Sequence, residues 1–265
     1  MIFSVMLTST PFIATLFAVL ALMAGAWTLS LITKKACLAD SFWGAGFILV
    51  AWTTWLMGPG TSRSLLVVVL ISIWGVRLAY HITRRNWGKP EDRRYQAMRD
   101  YHGKKFWWIS LFSVFLLQAV LLWLISIAPQ VAQLSAKPAA LTWLDWLGVA
   151  IWTVGMMFEA TADRQMEKFR NDPANKGKVM DKGLWAWSRH PNYFGESLIW
   201  WGLFCVALAV PFGWLTLFSP LIITFLLLKV SGVALLEKEI GARRPGYEEY
   251  RKRVNAFFPW FPSRQ

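Results

Sequence analysis

An alternation constrains this chain more than any other feature: apolar runs long enough to cross a bilayer, separated by short blocks of Lys and Arg. A spanning helix takes ~20 mostly apolar residues, set by a rise of ~1.5 Å per residue and a hydrocarbon core of ~30 Å. Seven apolar segments qualify, over 11–32, 39–57, 64–82, 106–127, 143–161, 193–211 and 213–236. Breakers divide them. Gly58-Pro59-Gly60 separates the second from the third, Pro129 and Pro138 bracket a polar connection after the fourth, and Pro211-Phe212-Gly213 makes a tight hairpin between the sixth and seventh. Proline lacks the amide donor and glycine the backbone preference that a helix interior requires. Apolar residues are 56% of the chain and tryptophan occurs 18 times, a load that a soluble domain would leave partly in water. The expected fold is all-α: a polytopic integral membrane bundle of seven transmembrane helices forming one domain over 1–265.

The basic residues fix an orientation. Of 28 Lys and Arg, 24 lie in four blocks within 34–35, 84–105, 164–189 and 238–264. Seven spans put all four blocks on one face, while the opposite loops carry only Arg63 and Lys137. The bias of Lys and Arg toward the cytoplasm then predicts an N-terminus outside and a C-terminus inside. It also accounts for the net charge of +13 without nucleic acid, whose binding needs a continuous basic face on a folded domain. Ala24-Gly25-Ala26 resembles a cleavage site, but no Lys or Arg precedes it and the apolar run continues to Ile32, so a retained first helix is expected. Cys37 and Cys205 form no CxxC and read as packing residues. His81, His102 and His190 are too scattered for a metal site. Neither GxGxxG nor GxxxxGK[ST] occurs, which excludes the Rossmann and P-loop modes of nucleotide binding.

Ionisable residues inside spans are costly, and each needs a reason. Arg77 and Lys229 lie near cytoplasmic ends, where a long side chain can snorkel to the headgroups. Asp40 opens the second span and suits a helix N-cap. Glu196 shares a helical face with Asn192 and Tyr193, in the densest stretch of the chain, Gly183 to Glu196. Pro191 there suits a first helical turn, and Arg189 and His190 precede a helix N-terminus, where free N–H groups favour an anion. Upstream, Asp163 and Arg170 lie seven apart on one face of a continued helix. Downstream, Tyr247, Tyr250 and Arg251 combine rings that pack on a base with a guanidinium that grips phosphate. The plainer alternatives are an interfacial anchor, which explains Trp185 and Trp187, and solvated cytoplasmic helices. The loops 83–105, 162–192 and 237–265 are therefore the expected cofactor-binding regions.

From Asp40 to Pro262 the chain resembles the bacterial membrane proteins of the steroid 5-alpha-reductase-like family, the DUF1295 group. Ser188-Arg189-His190-Pro191-Asn192-Tyr193-Phe194-Gly195-Glu196 carries the resemblance, supported by Asn86-Trp87-Gly88-Lys89, by Asp163 to Arg170 and by Tyr247 to Pro262. The resemblance implies a multi-pass protein of the bacterial inner membrane that binds NADPH at the cytoplasmic end. It also implies reduction of a C=C bond conjugated to a carbonyl in a lipid-like substrate. By position, Asp163, Arg170, Asn192 and Glu196 would hold NADPH, with Asn86 and Lys89 as a further pair. The Glu and Tyr that polarise the ketone in steroid reductases align with Asp40 and Trp74. An indole donates a hydrogen bond but is not an acid, so Asp40, with Tyr80 or His81 on the next helix, is the expected catalytic set. The Arg-His-Pro-x-Tyr core also resembles the isoprenylcysteine carboxyl methyltransferases, which bind S-adenosylmethionine. Asn192 to Glu196 and Asp163 to Arg170 fit the reductases better.

Overall fold

The structure, a computed structural model, describes residues 9–230, 233, 237 and 245–262. Among these, regular secondary structure is entirely helical. The basic residues Lys238, Arg243, Arg244 and Arg264, and part of the seventh apolar segment, lie outside the described residues. Four helical stretches are long and apolar enough to cross a membrane, Ser9–Thr33, Ser62–Asn86, Arg93–Ile125 and Gly213–Val230. The protein is thus an all-helical membrane protein. The chain divides into two compact units, Met1–Thr142 with Ala207–Thr216, and Trp143–Val206 with Leu217–Gln265.

The first unit contains α1 (Ser9–Thr33), α2 (Leu38–Met57), α3 (Ser62–Asn86) and α4 (Arg93–His102). It continues through α5 (Phe106–Ser110), a π-helical stretch (Leu111–Leu116), α6 (Leu117–Ile125) and α7 (Ile127–Leu134). Thr61 starts α3 by accepting from the Ser64 amide, and Asp92 starts α4 by accepting from the Arg94 amide. Helix α2 and helix α3 approach so closely that a Cβ on Gly44 would lie 2.6 Å from the Gly75 carbonyl.

Polar side chains tie the apolar helices together. Thr15 Oγ1 donates to Gln130 Oε1 (2.8 Å), Trp123 Nε1 to the Phe12 carbonyl (3.0 Å), and Gln133 Nε2 to the Ala51 carbonyl (3.0 Å). Two expectations change here. Pro129 does not break the chain: it is the third residue of α7, in the first turn, where no helical amide is lost. The polar connection therefore begins at Ser135. Arg63 is no exposed loop cation either. It is fully buried and donates to the Pro138 (2.8 Å) and Ala140 (3.0 Å) carbonyls.

The second unit contains α8 (Trp143–Asn171), most of α9 (Pro191–Leu208), α10 (Phe218–Phe225) followed by a π-helical stretch (Leu226–Val230), and α11 (Tyr247–Arg253). As expected, Pro191 opens a helix and Asp163 and Arg170 ride one long helix. Glycines set the α8–α9 crossing. A Cβ on Gly155 would meet the Gly195 carbonyl at 2.6 Å, and one on Gly148 the Gly202 carbonyl at 2.6 Å. The glycines are seven apart on each helix and pair in reverse order, so α8 and α9 run antiparallel with their backbones in contact. Small residues permit such approach between membrane helices, where dispersion and close packing replace the hydrophobic effect. Gly155→Val is expected to destabilise the protein by at least ~1–3 kcal/mol, read as a lower thermal midpoint in detergent, whereas Gly25→Ala, where no atom lies within 4 Å of the added Cβ, leaves it unchanged.

Candidate functional site

Each unit carries one dense polar cluster. In the first, Asp40 sits in the opening turn of α2 but does not cap it. The N-cap is Cys37, and the Glu91 carboxylate accepts from the amides of Ala36 (2.6 Å) and Cys37 (3.0 Å). Glu91 also accepts from Arg99 Nη2 (3.3 Å). This frees Asp40 for other partners. Its Oδ2 accepts from Arg94 Nη2 (2.8 Å), and its Oδ1 accepts from Tyr95 Oη (2.6 Å) and Gln118 Nε2 (3.2 Å). Both oxygens thus accept from protein donors, one of them a guanidinium and another the buried Tyr95 phenol. Asp92 completes the arrangement by accepting from Arg94 Nε (3.0 Å). Burial pushes the Asp92 carboxyl up, but the Arg94 hydrogen bond and charge outweigh it and hold it below the ordinary range.

The segment 86–95 therefore joins two expected features. Asn86 Oδ1 accepts from Arg85 Nε (3.4 Å), and the Lys89 carbonyl accepts from Lys35 Nζ (2.6 Å), which pins the Asn86–Lys89 turn beside the start of α2. Six residues further on stands Tyr95. Tyr80 on α3 is 64% exposed. Trp74 is fully buried, edge-on to Phe47 with ring centroids 5.5 Å apart. It serves the core.

In the second unit, Asn192 on α9 donates from Nδ2 to Asp163 Oδ1 of α8 (3.2 Å). A carboxylate only accepts, so this bond fixes the amide's orientation. The other end, Asn192 Oδ1, is buried and has no partner among the described residues. One turn beyond lies Glu196. At the end of α8, Arg170 and Phe169 line a cleft of about 310 Å³ with Lys176 and Gly177.

Arg189 and His190 do different work from that expected. Arg189 grips Glu237 with two bonds, Nε to Oε1 (2.7 Å) and Nη2 to Oε2 (2.9 Å). Its Nη1 donates to the Arg251 (2.9 Å) and Val254 (2.5 Å) carbonyls at the end of α11. The fork is thus committed to the protein and is not offered to a phosphate. His190 is buried, lies 3.2 Å from Glu237 Oε1 through Nε2, and stacks on Tyr193 at 5.5 Å and 3°. Burial would raise the Glu237 carboxyl, but hydrogen bonds from His190 and Arg189, reinforced by their charge, hold it down at about 2.

Tyr247 and Tyr250 are likewise buried rather than presented to a base. Tyr250 Oη donates to the Trp185 carbonyl (2.5 Å), and burial pushes the Tyr247 phenol up to about 12. Arg251 is exposed and pairs with Glu248 (3.3 Å). Together these residues clamp α11 and the chain after it onto the Trp185–His190 segment that leads into α9. Tyr95, Gln118, Glu91 and Glu237 escaped the sequence reading. Nothing local distinguishes the first three, and Glu237 follows an apolar run as an ordinary flanking charge would. No group of three or more potential metal ligands occurs among the described residues.

The model of the family described as protein of unknown function (DUF1295) matches residues 26–254. A Schizosaccharomyces pombe protein, described as uncharacterized, is 26% identical over 282 residues, covering 95% of this chain and 80% of that protein. No solved structure matches.

The Glu237 carboxyl has an ordinary value of 4.5 and a folded value of about 2. A depressed carboxyl stabilises the fold fully above its ordinary value, and this contribution is lost as pH falls through the folded one. Between pH 4.5 and 2 the native protein is expected to lose thermal stability more steeply than Glu237→Gln. Parallel melting curves across that window would show that the clamp contributes nothing.

Proposed function

We propose that this chain, which belongs to the DUF1295 family, is an NADPH-dependent reductase of a C=C bond conjugated to a carbonyl in a lipid-like substrate. The proposal takes the membrane domain as seven spans, with the N-terminus outside and the C-terminus in the cytoplasm. The observation that carries it is the orphaned Asn192 Oδ1. A buried acceptor without a donor costs ~1–3 kcal/mol, and the amide cannot turn without giving up Asp163. A ligand N–H aimed at this oxygen restores the balance, and the carboxamide of a nicotinamide ring supplies one. Glu196, one turn along the same face, adds a second acceptor. Arg170 and Lys176 in the cleft at the end of α8 give phosphate oxygens two cations, and Phe169 gives a base a ring. Asn86 and Lys89 are a further pair for the cofactor. Arg189, His190, Tyr247 and Tyr250 support the segment from beneath and hold its shape.

When bound, the cofactor supplies a hydride. The chain's own residues supply the rest. As hydride reaches the β-carbon of an enone, the electron pair of the C=C bond moves toward the carbonyl oxygen, and a proton must finally reach the α-carbon. Tyr95 is the buried acid available. The substrate oxygen competes with Asp40 for its phenol hydrogen, and charge developing on that oxygen strengthens the bond in the transition state. Asp40 orients the phenol, while Arg94 and Gln118 hold Asp40. The acid role thus passes from Asp40 to Tyr95. Apolar helices around the cluster suit a lipid-like substrate entering from the membrane.

Two measurements test this. NADPH at 100 times its Kd is expected to stabilise the purified protein by ~2.7 kcal/mol, and Asn192→Ala and Glu196→Gln weaken that effect. Equal stabilisation of the native protein and both variants, or stabilisation by S-adenosylmethionine alone, contradicts the proposal. Tyr95→Phe is expected to lower kcat ~10²–10⁴-fold, the usual range for a general acid, with NADPH affinity unchanged.

A further inference from the structure

The chain after α11 runs as an extended strap along residues 187–189. The Arg189 amide donates to the Asn255 carbonyl (2.9 Å), Ser188 Oγ to the Phe257 carbonyl (2.8 Å), and the Trp260 amide to the Trp187 carbonyl (3.0 Å). The backbone is held firmly and Phe257 is buried, yet the other three rings it carries face outward. Phe258 is 69% exposed, Trp260 68% and Phe261 76%, and Trp187 stands beside Phe261 with centroids 5.9 Å apart. So large an aromatic patch in water is an aggregation hazard, and exposed patches of this kind mark interaction sites.

Its surroundings identify the occupant. Phe258 packs on Phe194 of α9 (6.0 Å), and Phe194 packs on Phe158 of α8 (5.3 Å). Val154, one turn before Phe158, and the adjacent Met157 are exposed. The patch is therefore continuous with the exposed apolar surface of a helix in a membrane protein. Beside it, the last turn of α11 presents Arg251, Lys252 and Arg253. Tryptophan at the edge of an apolar surface, with cations next to it, is the composition of a headgroup-level anchor.

We propose that Phe258, Trp260 and Phe261, with Trp187, dock into the headgroup–acyl boundary of the bilayer that the chain itself spans. The basic turn of α11 meets lipid phosphates. Docking holds the strap, and through its three hydrogen bonds the strap holds Ser188 and Arg189 at the entrance to α9. The inference does not depend on the reductase proposal, because lipid accessibility reads it without cofactor or substrate.

The test places a single nitroxide at Phe261→Cys or at Arg251→Cys, in a Cys37→Ser, Cys205→Ser background. The protein is reconstituted in nanodiscs of phosphatidylcholine and phosphatidylglycerol. Power saturation is expected to show oxygen accessibility several-fold above that of a water-soluble nickel chelate at 261, and the reverse at 251. Equal access of the chelate to both positions overturns the proposal. So does shielding of 261 from both reagents, which would mean that a protein surface covers the patch. Should the cysteine-free background not fold, Trp260→Phe in the otherwise native chain gives an independent reading. The fraction of tryptophan emission quenched by lipids brominated near the headgroup falls if Trp260 lies in the bilayer, and an unchanged fraction overturns the proposal.

Discussion

Beside apolar helices, a charge without a partner costs several kcal/mol, and this constraint organises both units. Arg94 is answered by Asp40 and Asp92, and Arg189 by Glu237 and two carbonyls. Even Arg63, on the sparsely charged side, is buried against carbonyls. Two of these pairings join distant segments. Asp40 and Arg94 are 54 residues apart and Arg189 and Glu237 are 48, so the ion pairs fix how loops and helix ends lie on the framework. Apolar packing brings the helices together, and satisfied charges decide the arrangement at their ends.

The two clusters use the constraint differently. Around Arg189 four guanidinium hydrogen bonds find protein acceptors, which suits a support. Around Asn192 one buried acceptor is left over, which suits a ligand site. Around Asp40 an acid, Tyr95, is held by a carboxylate whose own position is fixed from two sides. A fully satisfied network rigidifies, whereas a partly satisfied one awaits a further group. In the proposed reading, Arg189, His190, Tyr247 and Tyr250 support the site, and Asn192 and Glu196 bind the cofactor.

Much of the framework was legible in the sequence, because helix length, apolar runs and proline placement are local properties. Pro191 announced the start of α9, and Asp163 to Arg170 continued α8 as their spacing required. Pro129 misled because a proline in a first turn and a proline ending a helix look alike until the turn itself is located. The glycines at 148, 155, 195 and 202 stand in plain view, but their equal spacing acquires meaning only once α8 and α9 are known to pair. The placement of Asn192 and Glu196 on one helix was legible, because their spacing is a local property. The candidate site was illegible where tertiary contact builds it. Tyr95 lies in a charged loop-to-helix segment that reads as solvated surface, and only its meeting with Asp40 gives it chemistry. For Arg189 and His190, sequence shows the kind of donor but not the acceptor it finds.

The central claim is that this framework moves hydride from a nicotinamide to a polarised alkene. Transfer from NADPH deuterated at C4 to an α,β-unsaturated ketone tests it most directly. Purified protein is expected to yield a saturated ketone one mass unit heavier than that formed with unlabelled NADPH, with deuterium on the β-carbon and little product from Tyr95→Phe. Deuterium at the carbonyl carbon of an allylic alcohol would contradict the assigned chemistry. A product that gains a methyl group from S-adenosylmethionine would contradict the claim altogether.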